Sequence, residues 1–447
     1  MKHLFIYFLL SVFLALPSQM KAQINQWQDV YEVKKKDTLF GIAKKYSISL
    51  QDLLDANPEM KAEGYELKKG ATIFIPHAKT VSAPVVPAKT EKKEAARSST
   101  VKIGVMLPLH DVDGDGRRMV EYYRGLLLAC DSLKRQGIST EIRAWNVPID
   151  ADIRQTLLDQ SAKDRNLIFG PLYTHQVKPL ADFCSRNGIK LIIPFSINGD
   201  EVVRNPQVFQ VYQDDSDLTN DAISAFVSRY PGYHPVFIDC NDSTSRKGIF
   251  TFGLRKVLDQ KGIKYNITNL KSSEASFAKS FSRTMPNVVI LNTGRSPELK
   301  VALAKIDGLT TVNHDVKVSL FGYTEWLMYT RNCLEHFFKY NACIPSTFYY
   351  NPLDPKTQSL ERSYYKWFGS EMQHALPRFA ITGYDQTQFF VRGYHRYGDG
   401  FNGTREQNTY RALQTPLHFK RLVKGMQNAN FMLIHYTPDP RIESISY

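Results

Sequence analysis

The sequence predicts an α/β protein in two parts, a small βααβ module followed by two lobes that are each built on a parallel sheet. Three observations carry this reading. Residues 167–196 run strand, loop, helix, strand. Leu167, Ile168 and Phe169 form an apolar run closed by Gly170 and Pro171, and Leu191, Ile192 and Ile193 form another closed by Pro194. Between them Val177, Leu180, Ala181 and Cys184 fall at i, i+3, i+4 and i+7. Two apolar strands joined through an amphipathic helix make a parallel crossover, and such a sheet needs helices on both faces. The same alternation returns between residues 236 and 321, which calls for a second lobe. Finally, residues 31–76 hold a strand, two short helices and a closing strand.

The chain has 447 residues, more than one ordinary core accommodates. Residues 1–22 read as a cleaved export signal: Lys2 opens them, Leu4 to Leu16 is almost wholly apolar, and Ala22 is a small residue before Gln23. No later stretch is apolar for the roughly 18 residues a membrane span needs. The expected location is therefore the periplasm or cell envelope.

In the module, residues 24–78, Val30 to Val33 alternates as an edge strand. Thr38 caps a helix with Leu39, Ile42, Ala43 and Tyr46 on one stripe. Ser49 and Asp52 form a capping box for a second helix facing inward through Leu50, Leu53 and Leu54. Asn57 and Pro58 stop it, and Thr72 to Ile75 returns as a strand ended by Pro76. Tyr31, Val33, Asp37, Thr38, Leu39, Ile42, Ala43, Asn57, Pro58, Leu67, Gly70, Ile75 and Pro76 together resemble the LysM module. The resemblance implies a two-stranded antiparallel sheet with two helices on one side. It also implies a shallow groove for N-acetylglucosamine-containing glycans, peptidoglycan or chitin. Carried over by position, the groove walls are Asp37, Thr38 and Leu39 on one side and Asn57 and Pro58 on the other. The Asp37 and Asn57 side chains are expected at loop ends, off the apolar stripes. Residues 79–100, with two Pro and several charges, read as a flexible linker.

From residue 101 the alternation is legible throughout. Val101 to Leu109 is a strand, and Met119, Tyr122, Tyr123, Leu126, Leu127, Cys130 and Leu133 stripe the helix after it. Glu141 to Trp145 is a second strand, and the crossover at 167–196 follows. The second series has strands at Val236 to Ile238, Val288 to Leu291 and Val318 to Phe321. Its helices carry Phe250, Leu254, Val257 and Leu258, and run from Pro297 to Ile306. A strand at Phe348 to Tyr350, a helix near Lys356 to His374 and terminal strands around Phe431 to Tyr436 and Glu443 to Ile445 complete the chain. Ligands of such sheets lie beyond the carboxyl ends of the strands, where Tyr173, Thr174, Phe195 and Ser196 emerge.

The segments KIGVMLPL, YYRGLLLACDSL, IFGPLYTHQVKPLA, IIPFS, FQVYQDDS and AITGYDQTQFF resemble, in their order, the type 1 periplasmic binding fold, in particular branched-chain amino acid substrate-binding proteins of ABC transporters. The resemblance implies two lobes joined by three crossings, lobe 1 taking about 101–212 and 346–420 and lobe 2 about 213–345 and 421–447. It also implies a ligand cleft at Tyr173, Thr174, Phe195, Ser196, Thr293, Tyr323 and Glu325. Loop amides would hold a carboxylate, and Glu325 an ammonium.

The formal charge of +13 is spread thinly, without the basic stripe and interleaved aromatics of a nucleic-acid binder. Of five Cys, Cys130 and Cys184 sit on apolar helix stripes as buried thiols, and whether Cys333 and Cys343 are bridged stays open. Asp111, Asp113, Asp115 and Gly116 match only the first half of a calcium loop, since position twelve is Tyr122. No GxSxG, HExxH, P-loop or GxGxxG occurs. No cofactor, metal or catalytic residue is expected. The expected function is an exported, non-catalytic peptidoglycan-binding protein whose large domain binds a small polar ligand such as an amino acid or wall fragment. One alternative is a regulator of peptidoglycan synthesis acting on an envelope protein partner, and a lesser one a wall hydrolase.

Overall fold

A computed structural model of the chain describes residues 27–35, 37–46, 48–61, 67–76, 100–195 and 199–447. The expected export signal, most of the linker and Ser196 lie outside the described residues. Two compact units are present, and the first contains the small module. There β1 (Trp27–Glu32) pairs antiparallel with β2 (Thr72–Pro76), Tyr31 opposite Ile73. Helix α1 (Leu39–Lys45) begins where the Thr38 hydroxyl accepts the Gly41 N–H at 3.0 Å. Helix α2 (Leu50–Ala56) begins where Ser49 accepts the Asp52 N–H at 3.0 Å and donates to the Asp52 carboxylate. Ile73 and Ile75 of β2 are buried against α2, and Ile42, Leu50 and Leu53 of the two helices are buried as well. This is the period of two meeting the period of 3.6.

The second unit holds two seven-stranded sheets. The first comprises β3 (Thr100–Leu107), β4 (Ser139–Asn146), β5 (Leu167–Phe169), β6 (Lys190–Ile193) and β7 (Val208–Gln210). The second comprises β8 (His234–Asp239), β9 (Asn266–Asn269), β10 (Asn287–Leu291), β11 (Val318–Phe321) and β12 (Cys343–Ser346). Near the C-terminus β13 (Phe419–Arg421) and β14 (Met426–Asn428) join the first sheet, and β15 (Met432–Tyr436) and β16 (Ile442–Ser446) the second. The spatial order is β13-β14-β7-β6-β5-β3-β4 in one and β16-β15-β12-β11-β10-β8-β9 in the other. Each parallel core therefore reverses direction beside its first strand, between β3 and β5 and between β8 and β10. These are the switch points at which open α/β sheets leave a crevice.

The main helices are α3 (Gly114–Arg135), α4 (Thr174–Asn187), α5 (Asp215–Arg229), α6 (Gly248–Gln260), α7 (Ser296–Val312), α8 (Thr330–Lys339), α9 (Pro355–Phe368) and α10 (Phe379–Tyr397). The tightest pairing is α3 on α10. A Cβ on Gly125 would stand 1.8 Å from Ala380 O, and one on Gly383 2.0 Å from Tyr122 O. Where the chain passes between the two sheets, three crossing segments are tied by amides. Gln213 donates to Asn430 O at 2.7 Å, Asn428 to Val211 O at 3.1 Å and Asn430 to Thr347 O at 3.3 Å.

Three expectations are corrected. The strand expected at Phe348 to Tyr350 lies earlier, at Cys343–Ser346, paired with β15. Ser346 then closes a tight turn by accepting the Phe348 N–H and donating to Phe348 O, so the aromatic run leaves the ladder. The helix expected to reach His374 ends at Phe368, because Gly369 turns left-handed at φ 66°. The return to the second sheet follows Asn428 rather than residue 420, since β14 pairs with β7. The pairing of Cys333 and Cys343, left open by the sequence, is answered as well: they are not bridged, and all five Cys are free and buried.

Candidate functional site

In the small module both expected groove walls are braced onto the two-stranded sheet. Asp37 accepts the Lys34 N–H at 2.7 Å and the Tyr31 hydroxyl at 2.8 Å, and these donors hold its carboxyl below its usual range. Thr38 and Pro58 are exposed and Leu39 is half-buried, so they offer surface. Asn57 is different. It is 0 % exposed, its amide donates to Leu53 O and Phe74 O at 2.8 Å each, and its oxygen accepts the Phe74 N–H at 2.8 Å. Its side chain, expected at a loop end off the apolar stripes, does stand at the end of α2, but it is buried there as a cross-brace to β2. Tyr31 and Phe74 are one rung apart across the sheet, so the two walls are anchored at neighbouring positions.

In the first lobe, Gly170 turns the chain out of β5 at φ +137°, and a Cβ there would meet Met106 O at 2.1 Å. This close approach brings Tyr173 to the switch point beside the loop after β3. The Tyr173 hydroxyl donates to Asp115 at 3.3 Å, and burial together with Asp115 and Asp113 pushes its pKa up to about 12. Thr174 is exposed in the first turn of α4. Phe195 packs on Tyr122 and Phe379, with ring centroids 5.5 and 5.8 Å away. The half-matched calcium loop is a helix start: Asp113 accepts the Gly116 N–H at 2.7 Å, and Asp115 pairs with Arg118. Among the described residues no cluster of His, Cys, Asp and Glu could hold a metal.

In the second lobe, Thr293 is 0 % exposed and donates to Asp242 at 2.7 Å. The hydroxyls of Thr244 and Thr293, with Arg295, hold the Asp242 carboxyl down at about 2. The Tyr323 hydroxyl donates to Leu291 O, which fixes the loop after β11 against the end of β10. Glu325 pairs through Oε1 with Lys247 at 2.6 Å, and that ammonium also lies 4.9 Å from the Tyr323 ring centroid. The other oxygen of Glu325, Oε2, is buried without a hydrogen-bond partner. Thr293, Tyr323 and Glu325 thus come together at the strand ends, while Thr293 and Tyr323 spend their hydroxyls inward. Lys247, Asp242 and Arg295 were not singled out from the sequence, because a Lys, Asp or Arg in a polar loop carries no periodic signal. Two open concavities on the first lobe, of about 270 and 250 Å³, are lined by other residues, one by Lys178, Asp182 and Arg204 and the other by Asp152, Arg154 and His175.

The comparisons follow this division. Residues 31–76 match the LysM domain family. They are a LysM domain. The remainder of the chain is similar to a branched-chain amino acid ABC transporter protein from Rhodospirillum rubrum, at 13% identity over 77% of this chain and 100% of that one, with a TM-score of 0.54. A branched-chain amino acid ABC transporter periplasmic ligand-binding protein from Burkholderia xenovorans matches at 11% identity over 77% and 94%, TM-score 0.47. An ABC transporter substrate-binding protein from Desulfitobacterium hafniense, in complex with Leu, matches at 17% over 77% and 100%, TM-score 0.42. No curated protein matches the chain. The Rhodospirillum likeness shows the fold: behind the LysM domain stands a two-lobed type 1 periplasmic binding fold. No helix among the described residues is long and apolar enough to cross a membrane.

Proposed function

We propose that the chain is an exported, non-catalytic protein that holds peptidoglycan through its LysM domain and binds a small polar ligand between its two lobes. The glycan reading rests on the LysM match and on Thr38, Leu39 and Pro58, which reach solvent from loops braced at Tyr31 and Phe74. The ligand reading is carried by one observation. Glu325 Oε2 is a buried acceptor without a partner at the end of β11, and a buried acceptor without a donor is costly. An ammonium or amide N–H from an amino acid or wall fragment supplies that donor, and Tyr173 and Thr174 belong to the opposing lobe.

A second reading is favoured by a specific observation as well. Thr293, Tyr323 and one oxygen of Glu325 already have partners within the lobe. This suits a regulator that meets an envelope protein with its cleft face. Native mass spectrometry of protein purified without refolding separates the two. A retained small molecule that is lost in Glu325→Gln supports the receptor. An empty domain that neither warms nor shifts its melting temperature with any amino acid or muropeptide rules the receptor out. A hydrogen bond to a charged group is worth about 1.5–3 kcal/mol, so Glu325→Gln should weaken a true ligand by about tenfold or more.

A further inference from the structure

The LysM domain carries a charge pattern that a neutral sugar does not use. Lys34 and Lys35 follow β1, and Lys68 and Lys69 precede β2, more than thirty positions later in sequence. Antiparallel pairing folds them to one end of the domain. The Val33 N–H donates to Ala71 O at 2.9 Å and the Gly70 N–H to Val33 O at 2.8 Å, so Lys34 and Lys69 each stand one residue beyond a bonded pair. Neighbouring strands lie about 5 Å apart, which sets the two dilysines side by side. Gly70, at φ +85°, makes the turn that holds this register. All four side chains are exposed, and among the described residues none of Lys35, Lys68 and Lys69 has an ion pair. A fifth ammonium, Lys45, lies 4.2 Å from the Tyr31 ring centroid. Asp37, the carboxylate in the loop after Lys34 and Lys35, is already engaged by the Lys34 N–H and the Tyr31 hydroxyl.

This basic end adjoins the expected groove, because Lys34 and Lys35 lead directly into Asp37, Thr38 and Leu39. N-acetylglucosamine is uncharged, whereas the peptides that branch from a peptidoglycan strand end in carboxylates. We infer that Lys34, Lys35, Lys68 and Lys69 engage the carboxylates of peptidoglycan stem peptides, so that the domain selects peptide-bearing strands over bare glycan. This rests on the glycan reading above and names the form of the polymer it prefers. Each exposed lysine contributes little alone, roughly 1.8-fold in affinity, so the four together are worth about tenfold. The contribution is screened by salt, since the Debye length shrinks from about 10 Å at 0.1 M to about 3 Å at 1 M.

The test uses the full exported chain and four probes: intact peptidoglycan, the same polymer stripped of its peptides by an amidase, a chito-oligosaccharide, and vesicles containing phosphatidylglycerol. The variant carries Lys34→Gln, Lys35→Gln, Lys68→Gln and Lys69→Gln, all at exposed positions, and amide exchange of residues 31–76 verifies that it stays folded. At low salt the native chain should bind intact polymer about tenfold more tightly than stripped polymer. That preference should vanish in the variant and at about 1 M NaCl, with chito-oligosaccharide affinity equal in both proteins. Equal binding of intact and stripped polymer by the native chain overturns the inference, as does a preference that survives in the variant. Lysine-dependent pelleting with vesicles but no discrimination between polymers also overturns it, by showing a general anion response. If neither chito-oligosaccharide nor stripped strands bind, the glycan reading fails. Lysine-dependent capture of intact polymer would then still support the carboxylate contact.

Discussion

Asn57→Ala should unfold the LysM domain rather than loosen its grip on sugar. The side chain is 0 % exposed and makes three bonds of 2.8 Å, two to the strand residue Phe74 and one to Leu53 O. At about 1 kcal/mol net for each buried bond, with a further penalty for the space left, the loss is about 3–4 kcal/mol. A domain this small is stable by only about 3–5 kcal/mol, so most of that margin disappears. Thr38→Ala is the internal comparison. It removes one exposed cap, the bond to the Gly41 N–H, and should cost about 1 kcal/mol. Amide exchange followed by mass spectrometry on the full chain reads both variants, because residues 100–447 belong to a separate compact unit and serve as an unchanged reference. In Asn57→Ala, amides of residues 31–76 should exchange at nearly unfolded rates while those of the large domain keep their protection. Wild-type protection in the small domain of Asn57→Ala would refute the bracing role and return Asn57 to the list of residues free for ligand.

Three further outcomes follow from the large domain. Gly383→Ala drives a methyl into Tyr122 O and should lower the thermal stability of the two-lobed domain by about 1–3 kcal/mol or more, as read by calorimetry; an unchanged melting temperature would contradict the α3 and α10 packing. Burial pushes the Asp385 carboxyl up to about 6 despite four donors, from Tyr410, Leu413, Gln414 and Thr415. Its proton is held more tightly in the folded chain, so its contribution is complete below the ordinary carboxylate range and is lost as pH rises through about 6. Denaturant unfolding at a series of pH values should show wild type losing about 2–3 kcal/mol relative to Asp385→Asn between about pH 4 and 7, and parallel profiles would contradict the raised pKa. Phe195→Ala should cost about 3–5 kcal/mol if the ring is mainly a core partner of Tyr122 and Phe379, whereas loss of ligand with unchanged denaturant midpoint would assign it to the cleft.

Much of the fold was legible because buried parallel strands write themselves as short apolar runs. Leu167 to Phe169, Leu191 to Ile193, Val288 to Leu291 and Val318 to Phe321 all lie in the sheets where the pattern set them. The pieces that escaped are of two kinds. Val208–Gln210, Phe419–Arg421 and Met426–Asn428 are three-residue strands that, unlike Leu167 to Phe169, are not wholly apolar, and Met426–Asn428 takes its place beside Val208–Gln210, more than 200 residues earlier in the chain. Phe348 to Tyr350 reads as a strand because it is aromatic, but its apolar character serves packing at a turn that Ser346 closes. The same distinction governs the sites. The position of Asn57 was visible, but its role was not. An Asn at a helix end caps, binds or braces with the same letter, and only its 0 % exposure and the partner strand decide. Glu325 was reached through a resemblance, and its partner Lys247, some eighty positions away in sequence, depends on the closure of the second sheet.

Sedimentation of the full exported chain with purified, insoluble peptidoglycan, in the presence and absence of a soluble N-acetylglucosamine oligomer, is the most direct measurement of the central claim. The chain should enter the pellet, be released by the oligomer, and remain in the supernatant when residues 31–76 are deleted. A chain that stays soluble, or that pellets equally well without those residues, would contradict the assignment of wall binding to the LysM domain.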